Sequence, residues 1–428
     1  MVHRTVVVTG GSGFVGQYVC AAVHNAGYRL KVLVRPTSDT SRILVPFEPV
    51  LGNVNDTESM QKAFSGCHAV IHLACPSAWS MLSSPGVVDV IQVGTENVIA
   101  ACKAVGVPRL VYMSSAAATG GSAEPCPQLP ERPDPTRCGD MYYARGKALA
   151  ELSVLEYANS LGDLAAPSDT SSDYVAPSVI DSEDSQAPRV VIIRPGEVFG
   201  PHDTGHITSS DFVSLVPTSS PPLPVLVPDG GVTAVDARDV AQATVAAIER
   251  GRHGTIYNLG GENVTIRELA RRSQCLMGVF GLIVVPSPWL TRTVIRAGMA
   301  LPWHPAWAVT GHYAQRYWLL DCTSSYRDLG FSPRSLDLTL YDTLSWLCES
   351  GGMGKRFRSR KPSASSLSRH SQAALKVHLS AGSVPPTLHG PSVGITDVTT
   401  LPLNTAVHKF DPIRSVDEEE EGGRGIGR

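Results

Sequence analysis

The chain contains no C-x-x-C pair, and its nine cysteines are odd in number and scattered. That pattern speaks against both a disulfide framework and a zinc site. The cysteines are expected to be small core residues in a reducing compartment, so the expected location is the cytoplasm. There is no large charge imbalance: 36 Lys and Arg face 39 Asp and Glu, a formal net charge of −3. Nothing global therefore points to nucleic acid or to an anionic membrane surface as a partner. No internal repeat is visible, and no apolar run is long enough to span a bilayer. The most apolar late stretch, "LMGVFGLIVVPSPWL" (276–290), is cut by prolines and is predicted to be buried structure, with a membrane-peripheral role as the lesser alternative. The amino terminus enters a strand at once, "RTVVVTGG", which leaves no room for a signal peptide.

What is present is an alternation of periods. Short apolar runs occupy Thr5–Val8, Leu30–Val34, Ala69–Leu73, Leu110–Met113 and Val190–Ile193. Helical patterns lie between them at Phe14–Ala26, Thr57–Phe64, Val87–Val105 and Tyr143–Asn159. Continuous apolar strands alternating with helices predict a parallel sheet covered on both faces, wound in two halves. Further on, the pattern predicts helices at about Val240–Arg250 and Leu336–Cys348, a strand in "TIYNLGG", a helix in "TIRELARRSQCLMG" and a last strand in "YWLLD". Two segments read as disordered. Ser160–Pro188 is acidic and has no Lys or Arg, and the chain from Gly351 onward is basic, Ser-rich and then acidic.

The first strand ends in "VVVTGGSGFVG", which is Gly10-x-x-Gly13-x-x-Gly16 followed by a helix. Glycines at those places serve a tight turn, backbone approach to a pyrophosphate and close helix packing. The helix amino terminus adds amide donors and a positive dipole end. The second strand ends at Arg35 with no acid before Asp39, where an NAD-preferring site has Asp or Glu. A guanidinium there suits a 2′-phosphate, so NADP(H) is expected over NAD(H).

The stretch "MYYARGKALAE" places Tyr143 and Lys147 four residues apart on one helical face, while Tyr142 points elsewhere. Together with "TGGSGFVG", "HLA", "GTENVIAAC", "LVYMSS", "RPGEVFGPHD", "VDARDVA" and "YNLGGENVTIREL", this pair makes the chain resemble the extended short-chain dehydrogenase/reductase superfamily. The last two motifs look most like the dihydroflavonol-reductase-like branch, bordering the 3β-hydroxysteroid dehydrogenases and the nucleotide-sugar epimerases.

The resemblance implies a Rossmann-type doubly wound α/β domain over about residues 1–350. Its cofactor part would be about 1–200, interrupted by an insertion at 160–188. Its smaller substrate part would be about 201–350, and 351–428 would be a tail. It implies Tyr143 as general acid/base, Lys147 as the cation that lowers its pKa and holds the nicotinamide ribose, and Ser115 as the substrate-oxygen donor, with Ser114 the lesser candidate. Cofactor contacts would come from Gly10, Ser12, Gly13, Phe14, Val15, Gly16, Arg35, Asn53, Val54, Leu73, Ala74, Tyr143, Lys147 and Pro195. No metal is implied.

The sequence departs from the family pattern at Asn53, where Asp is usual, at Gly146, where Ser is usual, and at Ile91, where Asn is usual. The substrate expected is a small carbonyl or alcohol compound, apolar or aromatic, because "HDTGHITSSDFVSLVPTSSPPLPVLVPD" (202–229) has no Lys or Arg to hold a second diphosphate. Arg238 could supply only one cation. A nucleotide-sugar epimerase or dehydratase is the alternative, and a cofactor-binding protein without turnover is another. Long helices such as Val87–Val105 and Tyr143–Asn159 could pair across a homodimer.

Overall fold

The computed structural model describes residues 4–76, 82–129, 131–162, 188–203, 215–216, 223–302, 305–350, 362–366 and 372. Contacts divide the chain into Met1–Lys376 and Val377–Arg428. All described residues belong to the first unit. Most of the Ser160–Pro188 segment and most of the region from Gly351 lie outside the described residues.

Seven strands form one parallel sheet: β1 (Thr5–Thr9), β2 (Arg29–Val34), β3 (Glu48–Leu51), β4 (Ala69–His72), β5 (Arg109–Met113), β6 (Arg189–Pro195) and β10 (Ile256–Leu259). Their order is β10-β6-β5-β4-β1-β2-β3, so the chain winds outward from β1 in two directions. The break between β1 and β4 is where such sheets bind ligands, at the carboxyl ends of the strands.

Successive side chains of β1 serve opposite faces. Val6 and Val8 pack with Val19 and Val23 of α1 (Phe14–Asn25) and Val240 of α5 (Ala237–Arg250). Val7 packs the other way, with Met60 of α2 (Thr57–Phe64), Val98 of α3 (Val87–Val105) and Val154 of α4 (Tyr142–Ser160). Burial on both faces is why these strands read as unbroken apolar runs. Short β3 was absent from the apolar runs because its burial alternates between half-buried and exposed residues.

A smaller layer follows. β9 (Gly231–Asp236) pairs antiparallel with β11 (Glu262–Thr265) and parallel with β7 (Glu197–Phe199) and β13 (Tyr317–Trp318). It packs with α6 (Ile266–Met277) and α9 (Leu336–Ser350) in a cluster that also includes Met141 and Ala144 of the α4 region. The expected strand "YWLLD" shrinks to the two residues of β13, with Leu320 bridged to Gln128.

One expectation is overturned. Residues 276–290 are not uniformly buried. Leu276, Met277 and Val279 are, but Phe280, Leu282, Trp289 and Leu290 are exposed. The stretch leaves the core after α6, forms β12 (Ile283–Val284) beside β8 (Val225–Leu226), and starts α7 (Pro288–Met299). The prolines that stop a membrane span also turn the chain outward, and α7 then packs on α8 (Ala306–Ala314). Among the described residues no helix is long and apolar enough to cross a membrane.

Candidate active site

The turn after β1 is built for close approach. Gly10 has φ +75, and a Cβ on it would lie 2.6 Å from the Ala74 backbone nitrogen. A Cβ on Gly16 would lie 2.1 Å from the Gly10 carbonyl oxygen, so Gly16 seats the helix on the turn itself as well as on the sheet. A Cβ on Gly13 would meet only the Gly10 oxygen, at 3.3 Å. Gly13 caps α1 without any side-chain hydrogen bond, and the first turn, which includes Phe14, Val15 and Gly16, carries no acid. A helix amino terminus with no acid in its first turn presents a positive dipole end, which fits the pyrophosphate of a dinucleotide.

The neighbouring strand ends are tied to this turn by His72. Its Nδ1 lies 2.7 Å from Thr9 Oγ1, and its Nε2 lies 3.4 Å from Thr95 Oγ1 on α3. The Ala74 amide donates to the same Thr9 hydroxyl at 3.3 Å. Burial, and secondarily the charge of Lys147, press the His72 pKa down to about 3, so the ring is neutral. The "HLA" and "GT" motifs therefore meet here as one hydrogen-bonded brace, which positions Leu73 and Ala74. Asn53 and Val54 follow β3: the Asn53 amide donates to Ser59 Oγ, and Asn97 donates to the Val54 carbonyl at 3.0 Å. Ser12 is half-buried in the turn, Arg35 is exposed just beyond β2, and buried Pro195 ends β6.

The proton-transfer candidates come from β5 and α4. Tyr143 lies in the first turn of α4, and the Ser115 hydroxyl bears on its phenol, favouring the charged form. Ser115 also accepts from the Ala117 amide at 3.2 Å. Ser114 is buried and donates to Glu151. Glu151 in turn forms a buried ion pair with Arg194. Ser114 is thus committed to the interior, and Ser115 is left for the phenol.

Lys147 is buried one turn along α4, with Nζ donating to the Met113 carbonyl at 2.9 Å and lying 5.4 Å from the centre of the Tyr112 ring. On balance the surroundings of Tyr143 raise its pKa. Burial, then Cys75, Tyr313 and Glu197, push the phenol well above its usual range, opposed by Ser115. The ammonium is directed to the Met113 carbonyl, and its charge also favours the Cys75 thiolate against burial, which raises that thiol's pKa.

Cys75, Tyr313 and Glu197 were not singled out from the sequence. Cys75 follows "HLA" directly and could have been found by extending that motif. Glu197 and Tyr313 reach the site through β7 and α8, contacts no local pattern encodes.

The cation that the sequence offered for a second diphosphate is consumed elsewhere. Arg238 chelates Asp236, with Nε and Nη2 at 2.8 and 2.7 Å, and also pairs with Asp342 at 2.7 Å. Arg334 pairs with Asp239 at 2.8 Å. Among the described residues no cluster of side chains could hold a metal ion.

Residues 6–260 match the NAD dependent epimerase/dehydratase family. A Synechocystis protein provisionally named dihydroflavonol 4-reductase is 24% identical over 364 residues, 80% of this chain and 94% of that protein. The dihydroflavonol 4-reductase of Hordeum vulgare is 29% identical over 183 residues, 37% of this chain and 49% of that protein. The fold is shared with a Thermus thermophilus UDP-glucose 4-epimerase in complex with NAD, at a TM-score of 0.57 and 21% identity, over 80% of this chain and 98% of that one. The chain belongs to the NAD dependent epimerase/dehydratase family, within the extended short-chain dehydrogenase/reductase superfamily.

Proposed function

We propose that the protein is an NADP(H)-dependent reductase or alcohol dehydrogenase acting on an apolar or aromatic carbonyl compound. The observation that carries this reading is Tyr143, with the Ser115 hydroxyl bearing on its phenol, one helical turn from the buried ammonium of Lys147, which donates to the Met113 carbonyl. When bound, the dinucleotide supplies or accepts the hydride at its nicotinamide ring. Ser115 and Tyr143 hold the substrate oxygen between two hydroxyls, and Tyr143 gives or takes the proton at that oxygen. Burial keeps the phenol protonated, which suits it as the acid in carbonyl reduction. Lys147, whose ammonium donates to the Met113 carbonyl, would hold a ribose hydroxyl beside the tyrosine. The glycine turn of Gly10, Gly13 and Gly16, with Ser12, Phe14 and Val15, would hold the pyrophosphate. Leu73, Ala74 and Pro195 would line the nicotinamide side, and Asn53 and Val54 the adenine. Arg35 supports the choice of NADP(H).

The surroundings of Tyr143 support a neutral, apolar substrate over a nucleotide sugar. After burial, the largest influences on the phenol come from Cys75, Ser115, Tyr313 and Glu197. Partly buried Ile283, Val285 and Tyr341 pack on the same cluster as Tyr143. Arg238, the cation the sequence offered for a second diphosphate, is held between two carboxylates. The test is NADPH oxidation with a panel of aromatic and aliphatic ketones and aldehydes, alongside UDP-sugars. Turnover of a carbonyl compound is expected. Epimerisation of a UDP-sugar without net NADPH consumption would assign the alternative, and cofactor binding with no turnover of any substrate would remove the enzymatic reading.

A further inference from the structure

The outward-turned segment after α6 carries the largest exposed apolar side chains of the described protein. Phe280 is 77% exposed and Trp289 75%, with Leu282, Leu290, Val294 and Trp307 also exposed. Lone exposed apolar residues are ordinary, but this set is concentrated on β12 and the α7–α8 pair. Only Ile295 and Gly298 of α7 are buried. Both lie against α8: a Cβ on Gly298 would meet the Trp307 ring at 2.4 Å, and Ile295 packs on Gly311.

The remaining circumference of α7 is ordered by chemistry. At about 100° per residue, Arg292 and Arg296 form one stripe, Trp289 lies beside it, and Leu290 with Val294 form the next stripe. No Asp or Glu occurs from Leu269 to Leu320. A helix with this arrangement lies in a bilayer interface, its apolar side chains among acyl chains, tryptophan at the boundary and arginines at the phosphates.

We infer that the α7–α8 pair and the adjoining β12 segment dock the protein on an anionic membrane surface, lying on the bilayer without crossing it. The occupant is argued from charge. Two exposed arginines with no acid in the same stretch complement anionic headgroups, whereas a second copy would bring the same two arginines against them. The location also has a chemical consequence. Tyr313 of α8 packs against the same apolar cluster as Tyr143, so the docked face adjoins the candidate proton-transfer site. An apolar substrate would then enter from the lipid phase; this consequence rests on the reductase reading, and the docking itself does not.

The full chain is mixed with vesicles of phosphatidylcholine alone, and of phosphatidylcholine with phosphatidylserine, and sedimented. Wild type is expected to sediment with the mixed vesicles and far less with neutral ones. Phe280→Ser with Trp289→Ser should weaken partitioning to the mixed vesicles by at least about tenfold. Arg292→Gln with Arg296→Gln should weaken it on the order of 20-fold, and on the mixed vesicles only. NADPH affinity should be unchanged in both double variants, which shows that they fold. The basic run Lys355–Lys361, outside the described residues, is present in every variant and so cannot account for these losses. Wild type that stays in the supernatant, or variants that sediment as wild type does, would overturn the inference. So would a wild-type dimer that Phe280→Ser with Trp289→Ser dissolves while vesicle binding is unaffected. Because the readout is sedimentation, a failure of the reductase assay leaves it untouched.

Discussion

Gly146 of α4 packs directly on Ile91 of α3: a Cβ on Gly146 would lie 3.1 Å from Ile91 Cδ1 and 3.2 Å from Val88 Cα. These are two of the three places where the chain departs from the pattern it resembles. Their contact makes them one feature, a close apolar seam between two helices, with Ile91 only 4% exposed. Overpacking such a seam costs about 1–3 kcal/mol, offset by roughly half a kcal/mol or more of helix propensity when Gly becomes Ala. Gly146→Ala should therefore be mildly destabilising in wild type and neutral or stabilising beside Ile91→Val. A double-mutant cycle by urea unfolding should give a coupling of at least about 0.5 kcal/mol. Strict additivity would show that Ile91 yields without cost.

Tyr143 and Tyr142 are neighbours, and the Ser115 hydroxyl bears on the phenol of Tyr143. Tyr143→Phe should leave NADPH binding intact and lower kcat by several orders of magnitude, while Tyr142→Phe should have little effect. Ser115→Ala should fall between them, by roughly 10- to 1000-fold. Steady-state kinetics on any accepted carbonyl compound decide this, and a dead Tyr142→Phe with an active Tyr143→Phe would reverse the assignment.

Arg35 stands exposed beyond the end of β2, with its backbone amide held by Ser38 Oγ at 3.0 Å. Arg35→Asp should weaken NADPH by on the order of 2 kcal/mol and leave NADH nearly unchanged. Fluorescence titration measures both affinities. A wild type that prefers NADH would be incompatible with the proposed cofactor.

His72 should make stability depend on pH. Its pKa is pressed down to about 3 in the fold, from an ordinary value near 6.5. The unfolded chain therefore binds a proton that the folded ring refuses. Stability from this group is complete above about pH 6.5 and is lost as pH falls toward 3, approaching about 1.4 kcal/mol per pH unit within that window. His202 is shifted in the same direction by burial, Arg42 and Arg238, so its contribution adds to the slope. His72→Asn should flatten the slope of melting temperature between pH 6.5 and 5, a range above the titration of ordinary carboxylates. An unchanged slope would mean that His72 is protonated in the fold.

The sequence by itself determined the alternating layers, the glycine turn and the helical register that selects Tyr143 over Tyr142. Each is a local property: a period, a turn that needs glycine, or an angle per residue. It could not show which residues meet across elements. That Ile91 answers Gly146, that Lys147 turns to the Met113 carbonyl, that Arg238 is taken by Asp236 and Asp342, and that Cys75, Glu197 and Tyr313 bear on the phenol all follow from packing between distant segments. The largest departure, residues 276–290, has the same cause. Apolar composition says that a stretch avoids water, but not whether the protein interior or some other surface covers it. Only the tertiary path, which carries the chain outward from α6 through β12 into α7, left those side chains on the outside.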